Sequence, residues 1–321
     1  MSRQSSISFF SSNAFLSIFL CILSLWLPFV LQAQLWAQGV EQTQVFPTDK
    51  TITEMTPEEL ERYYPSEFRH VEFSANQDQL GSLLAKTGER VQAFFQDFSD
   101  TSSKEYVLMQ RLGYNGNVDK SDSRNFNYMI LYQTDNRKPS LKEYRTDKKY
   151  AAIAQDAIQG FIITSGYACL SLNFHPSYQQ GSRFRYLGRQ TSDSRAYLIA
   201  FAQTIEANDL MIGYTDTITG KSVRLPVQGI AWVDPNTYQI LRLRINLQAG
   251  ENQSPLTEQI TDIQFSEARF GDIQKQLWMP REVVVTTTMA NYVFRNYHRY
   301  SDYKLFATSS DFTIEKPKSG K

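Results

Sequence analysis

The stretch of sequence that decides the fold is GIAWVDPNTYQILRLRINL, which spans Gly229–Leu247. Two runs of aliphatic and aromatic residues flank the tetrapeptide DPNT at residues 234–237. Proline suits the first inner position of a β-turn and asparagine suits the second, so this tetrapeptide predicts a tight turn. The whole stretch therefore predicts two antiparallel strands joined as a hairpin.

The second strand of this hairpin has one apolar and one basic face, because the side chains of a strand alternate between the two sides of a sheet. The apolar face consists of Leu241, Leu243, Ile245 and Leu247. The opposite face consists of Ile240, Arg242 and Arg244. We expect the basic face to contact water and the apolar face to need a cover.

An amphipathic helix that begins near Asn76 is the best candidate for this cover. Its apolar residues recur at intervals of three, four and seven, which places them on one stripe of a helix. They are Leu80, Leu83, Leu84, Val91, Phe94, Phe95 and Phe98. We expect the hairpin, through Leu241, Leu243 and Ile245, to pack on the second half of this helix.

Two further helices are predicted, a short one that starts at Thr56 and stops near Pro65, and an amphipathic one over Asp147–Ile163. Elsewhere, runs rich in β-branched and aromatic residues predict strands separated by turn residues. They are Lys104–Leu112, Asn125–Gln133, Leu141–Arg145, Arg183–Leu187, Ala196–Thr204, Val223–Val233, Gln259–Phe265, Trp278–Met289 and Tyr292–Leu305, with the second hairpin strand in addition. This order indicates an α+β fold. We expect a curved antiparallel sheet of about nine or more strands, an open half-barrel covered by one long and one shorter helix.

The N-terminal residues have the pattern of a secretory signal peptide. A weakly basic start with Arg3 precedes the apolar run Ala14–Leu31, and the small residues Ala33 and Ala37 follow it. We predict a signal peptide over residues 1–33, cleaved after Ala33 or Ala37. Retention as an anchor is the alternative, because the run approaches the length of a membrane span. A linker with a short helix over residues 34–68, a main domain over 69–310 and a charged tail over 311–321 are expected to follow.

Charge and cysteine content narrow the class of protein. Lys and Arg total 33, as do Asp and Glu. Loss of Arg3 with the leader leaves one more acid than base, which argues against a nucleic-acid-binding protein. Of the two cysteines, only Cys169 lies outside the leader, so the processed chain cannot form an internal disulfide. We expect a periplasmic or secreted protein, monomeric, with at most peripheral or transient membrane contact.

Catalytic and metal signatures are absent from the sequence. There are three histidines, no Gly-x-Ser-x-Gly elbow, and no His-Glu-x-x-His or Cys-x-x-Cys spacing. The carboxylates are dispersed, so they indicate no acid–base pair, and His298 among aromatic residues suggests a buried ring with satisfied nitrogens. We therefore expect no catalytic residue, no metal site and no cofactor, and we interpret the chain as a non-enzyme.

The remaining candidates for a site are aromatic residues on strands. The chain is 13% aromatic, and aromatic side chains can line a pocket for an apolar ligand. In the segment SRFRYL, alternation places Arg183 and Arg185 on one face and Phe184 and Tyr186 on the other. Arginines near a cavity mouth would bind an acyl or phosphate head group. The predicted ligand-binding residues are Arg183, Phe184, Arg185, Tyr186, Phe265, Tyr292 and Phe294; ordinary core and surface roles are the alternative.

Several short motifs resemble those of secreted bacterial proteins of the outer-membrane lipoprotein carrier superfamily, the LolA/LolB-like half-barrels, and most of all their uncharacterised acidobacterial-type relatives. The motifs are the WVDPNT turn at Trp232–Thr237, the strand entry LWMP at Leu277–Pro280, and the YSDY of the last strand at Tyr300–Tyr303. The resemblance implies non-covalent binding or carriage of a hydrophobic partner, a lipid or an acylated protein, in the half-barrel. The alternative is a structural or protein-interaction scaffold whose core is filled by its own side chains.

Overall fold

The computed structural model describes most of the chain between residues 50 and 305. The described residues are 50–97, 100–113, 115–135, 138–147, 153, 161, 164, 166–192, 194–204, 212–215, 222–248, 256–270, 273–289 and 292–305. The predicted signal peptide, the first part of the predicted linker and the predicted charged tail lie outside them. The predicted helix Asp147–Ile163 also lies almost entirely outside them.

The described elements form one large open sheet with a few helices. The helices are α1 (Pro57–Tyr63), α2 (Pro65–Phe68) and α3 (Leu80–Asp97), and the 3-10 helices are η1 (Ala168–Phe174) and η2 (Gln179–Gly181). The strands are β1 (Val71–Phe73), β2 (Thr101–Leu112), β3 (Val118–Asp135), β4 (Lys138–Thr146), β5 (Ser182–Gln190), β6 (Tyr197–Gln203), β7 (Ile212–Thr215), β8 (Ser222–Leu225), β9 (Val227–Val233), β10 (Ile240–Leu247), β11 (Leu256–Phe270), β12 (Ile273–Met289) and β13 (Tyr292–Leu305). The antiparallel sheet has 11 strands in the order β1-β5-β6-β9-β10-β11-β12-β13-β2-β3-β4, and β7 pairs with β8. The predicted α+β fold with a curved, open antiparallel sheet is confirmed.

One face of the sheet is buried along a continuous row of cross-strand neighbours. Leu243 on β10 lies opposite Ala231 on β9 and Ile263 on β11. The row continues from Ile263 to Val283 on β12 and from Val283 to His298 on β13. Directly opposite residues point to the same side of a sheet, and these five are 0–1% exposed. We call this side the inner face and the other side the outer face.

Helix α3 lies on the inner face and buries its apolar stripe there. Val91 and Phe95 belong to the same buried cluster as Leu243 and Ile245, and Phe94 packs against that cluster. Leu243 and Ile245 of the hairpin therefore share one buried cluster with the second half of the helix.

The hairpin turn also holds this helix in place. Asp234 Oδ1 accepts hydrogen bonds from the backbone N–H and the hydroxyl of Thr237 at 2.7 and 3.0 Å, which stiffens the turn. Arg90 of α3 donates to the carbonyl of Thr237 at 2.9 Å. Lys86, one turn earlier, donates to the Tyr238 hydroxyl at 3.1 Å. The DPNT tetrapeptide thus both closes the hairpin and positions the helix.

The outer face of β5, β6 and β9 is covered by residues 50–70, which we call the arm. A capping box between Thr56 and Glu59 starts α1 at the predicted position. The buried side chains of the arm join apolar residues of the three strands in a second cluster. Its members include Ile52, Met55, Leu60, Tyr64 and Phe68 from the arm and Leu187, Leu198, Ala200, Ile230 and Trp232 from the sheet.

The predicted contact of the basic hairpin face with water is wrong for Arg244. This arginine is 8% exposed, and its Nη1 lies 2.6 Å from Oε1 of Glu67 in the arm, itself 3% exposed. Arg242 is partly exposed, binds Asp262 and lies 4.4 Å from the ring centroid of Trp232. A buried arginine requires a carboxylate partner, and the arm supplies it from a distant part of the sequence.

A β-bulge corrects the predicted faces of two hairpin residues. The register shifts between Ile240 and Arg242 where β10 pairs with β9, and an extra residue reverses the alternation at that point. Ile240 therefore joins the inner cluster, whereas Leu241 packs against the outer one. The expectation that Leu241 shares a face with Leu243 is wrong.

Most predicted strands are present, and several are longer than the sequence indicates. The predicted strand Val223–Val233 is divided into β8 and β9 at Pro226, because proline has no N–H for the ladder. Among the described residues, no helix is long and apolar enough to cross a membrane.

Replacing Leu243 with Ala should lower the free energy of unfolding by about 2–5 kcal/mol, since a fully buried leucine loses its contacts and leaves a cavity. Leu108→Ala on the outer face of β2, where the side chain is only partly buried, is the matched control and should cost less. Urea denaturation of both variants measures the difference. If both variants lowered the free energy of unfolding by the same small amount, the inner face at β10 would not be part of the core.

Replacing Gly88 of α3 with Ala should destabilise the protein, although alanine favours a helix by about 1 kcal/mol. An added Cβ would lie 2.7 Å from Nε2 of Gln179 and 3.1 Å from the carbonyl oxygen of Phe174. Overpacking of this kind costs about 1–3 kcal/mol. Gly81→Ala in the same helix meets no atom within 4 Å, so it should leave stability unchanged or raise it. If both variants raise the thermal midpoint, α3 is not packed closely on the η1 segment.

Candidate functional site

The five aromatic residues predicted for the site all lie on the inner face. Phe184 packs between Phe174 of η1 and Phe201 of β6, with ring centroids 5.4 and 6.4 Å away. Tyr186 is 4% exposed and lies edge-on to Tyr197. These side chains fill the part of the inner face near α3.

The other three aromatic residues lie further along the sheet. Phe265 on β11 packs at the edge of the inner cluster. Tyr292 and Phe294 have the inner-face parity of His298 on β13, because the ladder to β12 has no irregularity between them. Their ring centroids are 6.3 Å apart, and Tyr292 is 50% exposed. The structure therefore places these residues on one face but does not gather them at one point.

The two predicted arginines lie on the outer face, against the arm. Arg183 is exposed, and its Nη1 lies 3.3 Å from Oε1 of Glu54. Arg185 donates to the backbone carbonyls of Met55 at 2.5 Å and Thr53 at 3.4 Å. The alternation predicted from the sequence is present, and it separates these cations from Phe184 and Tyr186 by the thickness of the sheet.

A buried polar cluster on the inner face was missed by the sequence reasoning. Glu105 on β2 is fully buried and accepts a bidentate pair of hydrogen bonds from Arg145 on β4, at 2.6 and 2.7 Å. Oε1 of the same carboxylate lies 2.9 Å from Nδ1 of His298 and 2.9 Å from the hydroxyl of Tyr300. Three strands thus bring together a carboxylate, a guanidinium, an imidazole and a phenol.

The charges of this cluster follow from these contacts. Burial raises the pKa of Glu105, but the Arg145 charge and hydrogen bonds from His298 and Arg145 outweigh it and lower that pKa to about 2. Burial lowers the pKa of His298, and the hydrogen bond to Glu105 opposes this only in part. At neutral pH the cluster therefore holds an ionised Glu105, a charged Arg145 and a neutral His298. The ring donates from Nδ1 to the carboxylate, so its Nε2 is an acceptor.

A second carboxylate, Glu143 on β4, binds the start of η1. Its oxygens accept hydrogen bonds from the backbone N–H groups of Gly166 at 2.5 Å, Tyr167 at 3.2 Å and Ala168 at 3.0 Å. The hydroxyl of Tyr128 donates to it as well. Burial raises the pKa of Glu143, and the hydrogen bonds it accepts offset only part of this effect.

Residues 166–174, which we call the cover, lie over this cluster. Tyr167 is 2% exposed, and its hydroxyl lies 3.0 Å from Nε2 of His298. Because this Nε2 is an acceptor, the hydroxyl shares its one proton between Nε2 and the backbone carbonyl oxygen of Thr164, 2.9 Å away, and it lies 2.8 Å from the hydroxyl of Thr164. The expectation of a satisfied histidine ring is confirmed for His298.

The sequence feature that could have indicated this buried polar cluster is the alternation of side chains between the two faces of β2. Glu105 occupies an inner-face position two residues before Val107 and four before Met109, all of them buried. A carboxylate on an otherwise apolar strand face needs a buried partner. The sequence could therefore have indicated that Glu105 is paired, although not that Arg145 and His298 are the partners.

The resemblance motifs have structural roles in this chain. The indole N–H of Trp278 donates to the carbonyl of Ile240 at 2.6 Å, which ties β12 to the start of β10. The hydroxyl of Tyr303 donates to the carbonyl of Pro280 at 2.7 Å. Within the described part of the chain, no group of three or more His, Cys, Asp or Glu side chains is placed to hold a metal ion.

Comparison with known proteins finds similarity in fold. The chain matches no protein-family model and no curated protein. It is similar to a DUF1329 family protein from Desulfovibrio piger, at 12% identity and a TM-score of 0.41, over 74% of this chain and 98% of that one. It is similar to a candidate outer membrane lipoprotein-sorting protein domain from Vibrio parahaemolyticus, at 13% identity and a TM-score of 0.40, over 71% and 94%. It is also similar to a LolA superfamily protein from Nitrosomonas europaea, at 13% identity and a TM-score of 0.33, over 74% and 97%.

The free energy of unfolding should decrease as the pH falls, because of the ionisable groups in the buried polar cluster. Glu105 has a folded-state pKa below its unfolded value, so its contribution is present above about pH 4.5 and is lost toward about pH 2. His298 also has a lowered pKa, so protonation of the unfolded chain lowers stability as the pH falls below 6.5. Glu143 acts in the opposite sense, because its pKa is raised. Urea denaturation at several pH values measures the profile.

Glu105→Gln should cost about 3–5 kcal/mol at neutral pH, because it leaves the Arg145 charge buried without its partner. Glu282→Gln on the outer face is the control, since its ion pair with the mostly exposed Arg299 spans 3.7 Å and such surface pairs contribute about 0–1 kcal/mol. Similar stabilities of the two variants would contradict the assigned charges. Should Glu105→Gln fail to fold, the wild-type acid profile remains the test.

Proposed function

We propose that the protein binds an amphiphile non-covalently on the inner face of its open sheet and carries it within the cell envelope. The amphiphile is a lipid or the lipid part of an acylated protein, and the protein acts as a carrier rather than an enzyme. One observation carries the proposal, namely that the aromatic inner face extends from the buried core to the solvent along β13.

The inner-face residues of β13 describe this path. Tyr300 and His298 are buried beneath the cover, and Asn296 is 3% exposed. Phe294 is partly buried, and Tyr292 at the start of the strand is half exposed. An amphiphile that enters at Tyr292 meets aromatic side chains first, and its polar head reaches the polar cluster at the far end while its tail lies along Phe294 and Tyr292. Such a site, apolar with a few convergent polar groups, is typical of sites for small amphiphiles.

The cover is the part of the chain that would have to move to admit a ligand. Its polar contacts with the sheet include the Tyr167 hydroxyl and the backbone N–H groups that bind Glu143, together with the bonds of Cys169 to the carbonyl of Leu141 and of Gln203 to Asn173. Its apolar contacts with the inner cluster include those of Leu172 and Phe174. A ligand that fills the same space regains the apolar contacts, so exchange of cover for ligand costs little net burial.

A scaffold with a self-filled core is the second candidate. The part of the inner face beneath α3 favours it, because Leu243, Phe201 and Phe95 are 0–2% exposed there. In that case the protein has no small ligand, and its outer strand surfaces bind protein partners. The two candidates differ in whether the inner face exchanges its cover for a ligand.

The proposed envelope location rests on the N-terminal sequence, with its apolar run Ala14–Leu31 before Ala33 and Ala37. Cell fractionation of a bacterium that expresses the full chain tests this proposal. The intact mass of the purified protein distinguishes cleavage after Ala33, cleavage after Ala37 and a retained leader.

Native mass spectrometry of the protein purified from the bacterial envelope tests the carrier function. We expect a bound species that is lost on denaturation, with lipid or acylated material in an organic extract of the same sample. A ligand-free mass that stays unchanged after incubation with acyl lipids would favour the scaffold. Leu243→Ala, which alters the core rather than the proposed entrance, controls for lipid held by partly unfolded protein.

A further inference from the structure

The hydrogen bonds between cover and sheet reveal which kind of polar group the inner face accepts. The donors of Arg145, Tyr300 and Tyr128 that bind within the cluster are directed at its own carboxylates. Arg145 and Tyr300 donate to Glu105, and Tyr128 donates to Glu143. The sheet atoms that residues 166–168 of the cover bind are acceptors.

These acceptors are Nε2 of His298 and the two carboxylate oxygens of Glu143. The cover satisfies them with four donors, the Tyr167 hydroxyl and the N–H groups of Gly166, Tyr167 and Ala168, at 2.5 to 3.2 Å. A group that replaces the cover must supply donors at the same places, because buried acceptors left without partners cost free energy. The cover thus occupies the site as an internal substitute for a ligand.

We propose that the inner face selects an amphiphile whose polar head donates several hydrogen bonds, an ammonium or a polyhydroxyl head, rather than an anionic one. This inference rests on the carrier function proposed above and names the ligand class of that site. The head lies against Glu143 and His298, and the apolar tail runs along the inner face toward Phe294 and Tyr292. An ammonium group carries three donors, and a sugar head carries several hydroxyl donors.

An anionic head is disfavoured by the same geometry. A phosphate or carboxylate oxygen would face the acceptor atoms of Glu143 and His298 with no donor between them. Arg145 is held by Glu105 through two short hydrogen bonds, so it cannot turn to the anion without leaving a buried carboxylate unpaired. Arg183 and Arg185, the cations predicted to bind a head group, lie on the outer face against the arm.

Isothermal titration with four amphiphiles that share a dodecyl tail tests the inference. The heads are ammonium, maltoside, phosphate and carboxylate, each titrated below its micelle concentration into the full-length protein. We expect the ammonium or the maltoside, or both, to bind at least about tenfold more tightly than either anion, the size expected for a hydrogen bond to a charged group. Equal affinities, or a preference for an anion, would overturn the inference and leave the carrier function standing. Absence of binding by all four would overturn the carrier function itself.

Two variants assign the selectivity to the cluster. Glu143→Gln should reduce the preference for ammonium over phosphate by about tenfold, whereas Glu282→Gln on the outer face should leave it unchanged. Tyr167→Phe removes a bond that holds the cover, so it should tighten binding of all four amphiphiles several-fold without changing their order. This variant keeps the inference testable if Glu143→Gln does not fold. Weaker binding by Tyr167→Phe would show that the cover does not compete with the ligand, which would also overturn the inference.

Discussion

An open sheet of 11 strands has two faces, and other segments of the chain bury part of each. The apolar residues of the inner face, centred on Leu243, are buried beneath α3 and the cover. The outer face of β5, β6 and β9 is buried beneath the arm. Burial of apolar area stabilises the fold by about 25 cal/mol per Å², so the covered parts of both faces contribute to stability. The charges and hydrogen-bonding groups on each face depend on how the arm and the cover are attached to the sheet.

The arm and the cover are attached to the sheet by different interactions, the arm by a buried ion pair and the cover by hydrogen bonds. The arm brings Glu67 to Arg244, so a charge from the arm neutralises a charge of the sheet. On the inner face, Glu105 and Arg145 neutralise each other within the sheet. The cover therefore meets acceptors that need donors, the oxygens of Glu143 among them. A neutral backbone satisfies them, and so would a ligand with donors of its own, which connects the architecture of the inner face to its proposed selectivity.

Much of the architecture could be predicted from local patterns. The DPNT turn, the stripe on α3 and the alternation of β10 are properties of neighbouring residues, and each is visible in the structure as predicted or with a shift of one residue. The bulge at Leu241 is the instructive exception. It arises where β9 and β10 pair, and a register shift depends on the partner strand rather than on the strand's own sequence. The division of the predicted strand Val223–Val233 at Pro226, by contrast, follows from the chemistry of one residue.

The sequence by itself determined the fold class, the hairpin, the long helix and the separation of Arg183 and Arg185 from Phe184 and Tyr186, because these follow from periodicities of two and 3.6 residues. Only the tertiary structure decided which charges meet. Glu105, Arg145 and His298 come from three separate strands, and Glu67 lies far along the chain from Arg244. Such pairs form because burial makes an unpaired charge costly, and no local pattern records which distant residue will be the partner. The candidate site therefore became visible only once the sheet order placed β13 beside β2 and the cover above both.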